Sequence, residues 1–280
     1  MGMRDDGEHL DRLIDEAEER LDQEDASGAL DLARSASALA QDVEDEEALA
    51  DLAVIEAGAL TLLGDPRAGL ARLESALERN RDDPRLLVER GMMLYELCRF
   101  DEARAQLLEA VATGCDDAWA HHTLGLIAER AGDDDEAELR FAAARRLSPD
   151  EFGEPARLSH GAFDDTVEEA LAALPERVRK YLANVAVVVE DLPADEDLLG
   201  SEPPLPPSIL GMFRGAPLGE KASMDPWSHF PSSIVLYQRN LERLGRDRAR
   251  IAEEIRITLL HEVGHFLGLD ERDLRERGLD

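Results

Sequence analysis

Near its C-terminus the chain reads His261-Glu262-Val263-Gly264-His265, followed by Phe266, Leu267, Gly268, Leu269, Asp270 and Glu271. Residues four apart share one face of a helix, so His261 and His265 can aim two imidazoles at a single point. Neutral imidazole is a good Zn²⁺ ligand. Glu262, beside the first histidine, is placed to take a proton from metal-bound water. Gly268 can end the helix in a left-handed turn and send the chain back toward the metal. A third ligand is then needed, and Glu271 stands ten residues after His261. Asp270 competes for that role, but with Asp273 three residues on it reads as the N-cap of a further helix. The chemistry implied is hydrolysis by zinc-activated water. The expected ligands are His261, His265 and Glu271, with Asp270 as the competing third ligand, and Glu262 is the expected base.

Such a site needs a rigid helix and a wall for the substrate. The stretch Arg246 to Leu267 supplies the helix, with an apolar run from Ile251 to Leu260 leading into the histidines. Glu271 to Leu279 reads as a short terminal helix. Three strands are expected nearby. Asn184 to Glu190 holds four valines in a near-continuous apolar run, which predicts a strand covered on both faces. Ile209 to Gly215 and Ser233 to Asn240 are the others, and Ile209–Arg214 or Ile234–Gln238 is expected to offer a free edge to an extended substrate. Phe163 to Tyr181 reads as amphipathic helix divided at Pro175. Leu192 to Pro207 is acidic and carries Pro203, Pro204, Pro206 and Pro207, which predicts a loop on the active-site side, neither helix nor central strand. Tyr237 and His229 are the residues that could assist an oxyanion, although each also reads as structural.

The first half is different. From residue 8 to about 150 the pattern is amphipathic helix without strand signals, and it repeats every 34 residues. Gly91 and Gly125 recur at that interval, as do Ala103 and Ala137, Leu107 and Phe141, and Ala110 and Ala144, with Ala57, Leu60, Gly69, Leu73 and Ala76 one step earlier. Arg20 to Ala40 reads as a degenerate first unit, offset by an insertion near Gln41 to Glu47. This resembles the tetratricopeptide repeat, where small residues sit at helix contacts and larger ones fill the gaps. That resemblance implies a stacked solenoid whose concave face holds a peptide or partner protein. His121 and His122 are adjacent on a helix and point in different directions, so they read as repeat-face or exposed side chains. Trp119 reads as an inter-helix packing residue. The acidic runs at 42–47 and 133–136 suit loops and helix N-termini, where negative charge is favoured.

Composition narrows the class. The chain has 280 residues, 44% of them hydrophobic but only 4% aromatic, with a formal charge of −32. Phosphate backbones and anionic membranes select lysine and arginine, so neither nucleic acid nor a membrane surface is an expected partner. Two isolated cysteines, Cys98 and Cys115, make no disulfide framework and suit a reducing compartment. Met1 to Leu10 lacks an apolar signal core and no run nears the ~20 apolar residues of a membrane span. A cytoplasmic protein is expected.

From Phe163 to Asp280 the pieces occur in a specific order. They are Val167-Glu168-Glu169-Ala170 with Leu174-Pro175, then Asn184 to Asp191, Leu210-Gly211-Met212-Phe213-Arg214-Gly215, Ile234-Val235-Leu236-Tyr237 and the His261–Glu271 motif. This resembles the minimal zincin-like metallopeptidases of bacteria. The resemblance implies a compact α/β domain with zinc protease activity. Many members carry aspartate at the last motif position, where this chain has Glu271 preceded by Asp270. The expected fold is α+β overall, with a helical repeat domain at 8–152 and a zincin-like domain at 160–280. The expected function is zinc-dependent peptide hydrolysis with a recognition module, and the alternative is an interaction scaffold with little peptidase activity.

Overall fold

The computed structural model describes residues 2–183, 185–215 and 232–276; the side chains of 2–6, Glu271 and Glu276 lie outside the described set. The fold is α+β. Eight helices pair as four hairpins: α1 (Gly2–Asp22) with α2 (Ala26–Asp42), α3 (Glu46–Leu62) with α4 (Pro66–Arg79), α5 (Pro84–Glu96) with α6 (Phe100–Ala112), and α7 (Ala118–Arg130) with α8 (Asp134–Leu147). The acidic character of this half has a local cause. Asp25, Asp45, Asp65, Asp83, Asp117 and Asp133 each stand before a helix and accept a backbone N–H from its first turn. Such caps are worth roughly 0.5–2 kcal/mol each.

The 34-residue period is a packing period. A methyl group on Gly91 would lie 2.6 Å from Leu107, and one on Gly125 would lie 2.6 Å from Phe141. Ala57 and Leu73 share a buried cluster one unit earlier. In each unit the large residue of the second helix fits against the small one of the first. The turns repeat as well: Gly64, Cys98 and Gly132 take φ of 85°, 57° and 74°. Cys98 thus adopts a left-handed conformation where its counterparts are glycine. The first unit is a complete hairpin, not a fragment. Its first helix is long and polar, and the burial of Leu10 and Ala17 gives it an inner face that the charged sequence obscures. His121 is buried, and burial lowers its pKa. His122 stacks on Phe152 at 4.6 Å. Trp119 also meets Phe152, in the segment leaving α8, edge-on at 4.9 Å.

The later residues form α9 (His160–Ala173), α10 (Glu176–Leu182), β1 (Ala186–Glu190), α11 (Asp195–Leu198), β2 (Gly211–Arg214), β3 (Ser233–Tyr237), α12 (Gln238–Leu244), α13 (Arg248–Phe266) and α14 (Glu271–Glu276). The sheet order is β1-β3-β2, with β1 parallel and β2 antiparallel to β3. Two expectations are corrected here. First, β3 is central and Ile234 to Tyr237 are fully buried, so Ile234–Gln238 offers no free edge. Second, β1 is an edge strand with Val188 40% exposed. Val187 and Val189 face a groove with Val167 and Leu171 of α9, while Val188 points the other way. The valines reflect β-propensity more than two-sided burial.

Buried and half-buried polar groups hold this sheet and its flanks. The guanidinium of Arg214 on β2 grips Glu190 of β1 through two bonds of 2.7 and 3.0 Å and also pairs with Asp197 of α11, spanning the central strand. Glu242, 1% exposed, accepts from the Leu158 amide at 2.9 Å, Gln238 at 2.8 Å and Arg157 at 3.3 Å, which fastens the segment before α9 onto α12. Asn240 donates to the carbonyls of Pro207 and Ile209.

The contacts divide the chain into two units. Met1–Phe152 with Leu198–Pro206 form one, and Gly153–Asp197 with Pro207–Asp280 form the other. The proline-rich stretch, expected as an uninterrupted loop, therefore opens with the single helical turn α11 and contributes nine residues to the first unit.

Gly125→Val should destabilise the protein by about 1–3 kcal/mol in urea unfolding, because Phe141 has no room to retreat from a branched side chain. Glu89 on α5 gives a pH test. Burial, reinforced by Asp117, raises its pKa from 4.5 to about 7. A carboxyl raised on folding adds stability below the lower value and loses it as pH climbs through the upper one. Glu89→Gln should therefore stabilise at pH 8, on the order of 1–2 kcal/mol, and the gain should vanish by pH 4.5.

Candidate metal centre

Helix α13 begins at Asp247, whose carboxylate accepts the Arg250 amide at 2.8 Å. Ile251, Ile255, Leu259, Val263 and Phe266 lie along one stripe and are 0–4% exposed in the core of the second unit. Each such side chain contributes roughly 1.5–3 kcal/mol on burial, so the rotation of the helix about its axis is fixed by that stripe. His261 and His265 then fall on the adjoining, half-buried stripe. Their Nε2 atoms are 3.1 Å apart and their rings meet at 79°. Two nitrogens bound to one tetrahedral zinc at ~2.0–2.1 Å stand about 3.3 Å apart, so the pair is spaced for a shared ion. Glu262 lies between them in sequence and is 6% exposed.

The end of the helix sets the second histidine. Gly268, at φ 85°, stops the helix. The Gly268 amide donates to the His265 carbonyl at 2.9 Å and the Leu269 amide to the Gly264 carbonyl at 3.0 Å, the paired bonds of a Schellman turn. The reversal carries the Leu269 carbonyl to Nδ1 of His265 at 3.2 Å. With Nδ1–H donating to that oxygen, Nε2 presents its lone pair to a metal. A backbone acceptor of this kind has no sequence signature beyond the glycine that creates the turn.

Next, Asp270 caps α14 by accepting the Asp273 amide at 2.8 Å. Glu271 opens that helix, and its side chain lies outside the described residues. Leu274, fully buried, rests where a Cβ on Gly264 would be, 2.2 Å from its methyl. The absent side chain at Gly264 is what lets α14 pack against the motif. Among the described residues two donors converge, and no group of three His, Cys, Asp or Glu side chains forms a metal cluster. The donor chemistry of the histidine pair fits zinc.

A wall is also present. Gly211 of β2 lies so close to α13 that a Cβ would come within 2.7 Å of Thr258, one turn before His261. Phe213 of β2 packs against Phe266 at 5.5 Å. Among the described residues β2 pairs only with β3, on one side, and its other edge has no described strand partner. Tyr237 does not serve as an oxyanion group. It is fully buried near Arg214, Asp197 and Glu190, and burial, then Asp197, pushes its pKa up to about 12. His229 lies outside the described residues.

Gly268→Ala should cost about 1 kcal/mol of stability. By loosening the Leu269 carbonyl it should also weaken zinc binding about 10–100-fold in a chelator competition. Unchanged affinity would show that the carbonyl does not orient His265.

Known proteins supply the comparison. No curated protein matches the chain. Similar solved structures include YrrB, described as a TPR protein with an unusual peptide-binding site, at 19% identity, covering 53% of this chain and 83% of that one, with a TM-score of 0.36. MamA from AMB-1 aligns at 17% identity over 51% of this chain and 93% of its own, with a TM-score of 0.32. A further MamA structure aligns at 16% identity over 55% and 99%, also at 0.32. No helix among the described residues is long and apolar enough to cross a membrane. Residues 182–279, which contain the whole strand set and the histidine motif, match the zincin-like metallopeptidase family.

Proposed function

We propose that the chain is a zinc-dependent peptidase in which residues 160–280 are the catalytic domain and 8–152 a helical module that recognises a peptide or protein. The observation that carries this reading is the 3.1 Å approach of the two Nε2 atoms on α13, with Glu262 beside the first. It is supported by the family match over 182–279. His261, His265 and Glu271 would hold the ion. Asp270 is the weaker candidate for the third position, since its carboxylate already caps α14. Bound zinc lowers the pKa of its water toward 7 and polarises a carbonyl.

The chain's own groups do the rest. The Leu269 carbonyl keeps His265 in the ligating tautomer. Glu262 takes the proton of the attacking water on a carboxylate oxygen and returns it to the leaving nitrogen. The edge of β2 away from β3, packed on α13 through Gly211 and Phe213, offers backbone donors and acceptors to an extended substrate beside the histidines. Cys98 and Cys115 form no disulfide, which is consistent with action in the cytoplasm.

Glu262→Gln should retain zinc at the level of the parent while lowering peptide cleavage at least ~100-fold. His261→Ala should lose both. Cleavage by the Glu262 variant at the parent's rate would remove Glu262 from the mechanism. Absence of zinc from the purified parent, with no uptake on titration, would remove the reading itself.

A further inference from the structure

Residues 198–206 run Leu-Leu-Gly-Ser-Glu-Pro-Pro-Leu-Pro and belong to the first unit, against α4 and the turn between α5 and α6. We infer that this face of the helical unit is a docking site for extended, proline-rich peptides carrying a carboxylate, with residues 198–206 as its resident and displaceable occupant. The site is independent of the metal centre.

The chemistry of the face matches that occupant. Prolines at 203, 204 and 206 donate no backbone hydrogen bonds, so a partner must supply donors and apolar surface. The Cys98 thiol donates to the Leu205 carbonyl at 3.5 Å. The Arg67 guanidinium meets the Glu202 carboxylate at 2.5 Å. Leu70 and Leu97 provide apolar surface, Glu74 also lines the face, and Arg99 is already paired with Glu102. In a chain of net charge −32, the Arg67 guanidinium is the point on this face that favours a carboxylate over a basic group.

The occupant is loosely held. Leu198 alone among the nine residues is buried, and Leu199 is 58% exposed. The Arg67–Glu202 pair is exposed on both sides, at 66% and 70%, and such pairs are worth about 0–1 kcal/mol. A cavity of about 520 Å³ remains between the segment and the helices. The residues flanking the segment are fastened within the second unit. Asp197 is held by Arg214 and the Pro207 carbonyl by Asn240. Being part of the same chain, the segment meets the face intramolecularly. A free peptide of the same chemistry therefore competes poorly with it until the segment is removed.

The test uses a labelled peptide with the sequence of residues 198–207 and the full chain in which residues 199–206 are replaced by a Gly/Ser stretch of equal length. Fluorescence anisotropy should show binding to the replaced chain at least tenfold tighter than to the parent, and adding Arg67→Glu should abolish that gain. Equal binding to both chains, or none to the replaced chain, overturns the proposal. If circular dichroism shows that the replaced chain does not fold, hydrogen exchange on Arg67→Glu in the otherwise native chain decides the matter. At least tenfold faster exchange of the Leu205 amide, with α4 still protected, supports a displaceable occupant; unchanged exchange overturns it. None of these readouts depends on hydrolysis, so their failure is separate from failure of the peptidase reading.

Discussion

Everything proposed for the second unit depends on how α13 is held about its own axis. Five apolar side chains along one stripe bind it to the core, and the two histidines occupy the next stripe because the helix repeat leaves them nowhere else. A rotation large enough to separate the rings would expose Ile251, Ile255 and Leu259 together, at several kcal/mol in total. The imidazole pair is thus preorganised by packing remote from it, and the Schellman turn at Gly268 brings the Leu269 carbonyl to Nδ1 of His265.

Glycine carries unusual weight here, for different reasons at different places. Gly268 is needed for its backbone angle, whereas Gly211 and Gly264 are needed for what they lack. The missing side chain at Gly211 brings the edge strand onto α13, and the one at Gly264 admits Leu274 and with it α14. Both approaches are made within one turn of the histidines. Strand β2 and helix α14 are therefore positioned by the same device, close contact of backbone with side chain.

The first unit uses that device repeatedly. Small residues of the first helices receive Leu107 and Phe141 of the second, and aspartate caps set the helix starts. The caps account for part of the −32 charge without invoking any ligand. The proline-rich stretch is different in kind. It lacks the backbone donors for regular structure and lies on the helices through a few exposed contacts.

Local rules in the sequence were enough to state the helical repeat, its period, the helix α13, its i to i+4 histidine pair and the cap at Asp270. Each of these depends on neighbours within a few residues or on a regular period. The order of the strands was not legible, because Val185–Val189 and Ile234–Leu236 are equally apolar and only pairing decides which is central. The buried setting of Tyr237 follows from Arg214, Asp197 and Glu190, which come from three separate segments. The Leu269 carbonyl leaves no trace in side-chain types, and the attachment of residues 198–206 to helices a hundred positions earlier has no local signal. Spacing along one helix decides which groups can converge; contacts between distant segments decide what surrounds them, since burial and pairing are properties of the folded chain and not of any stretch within it.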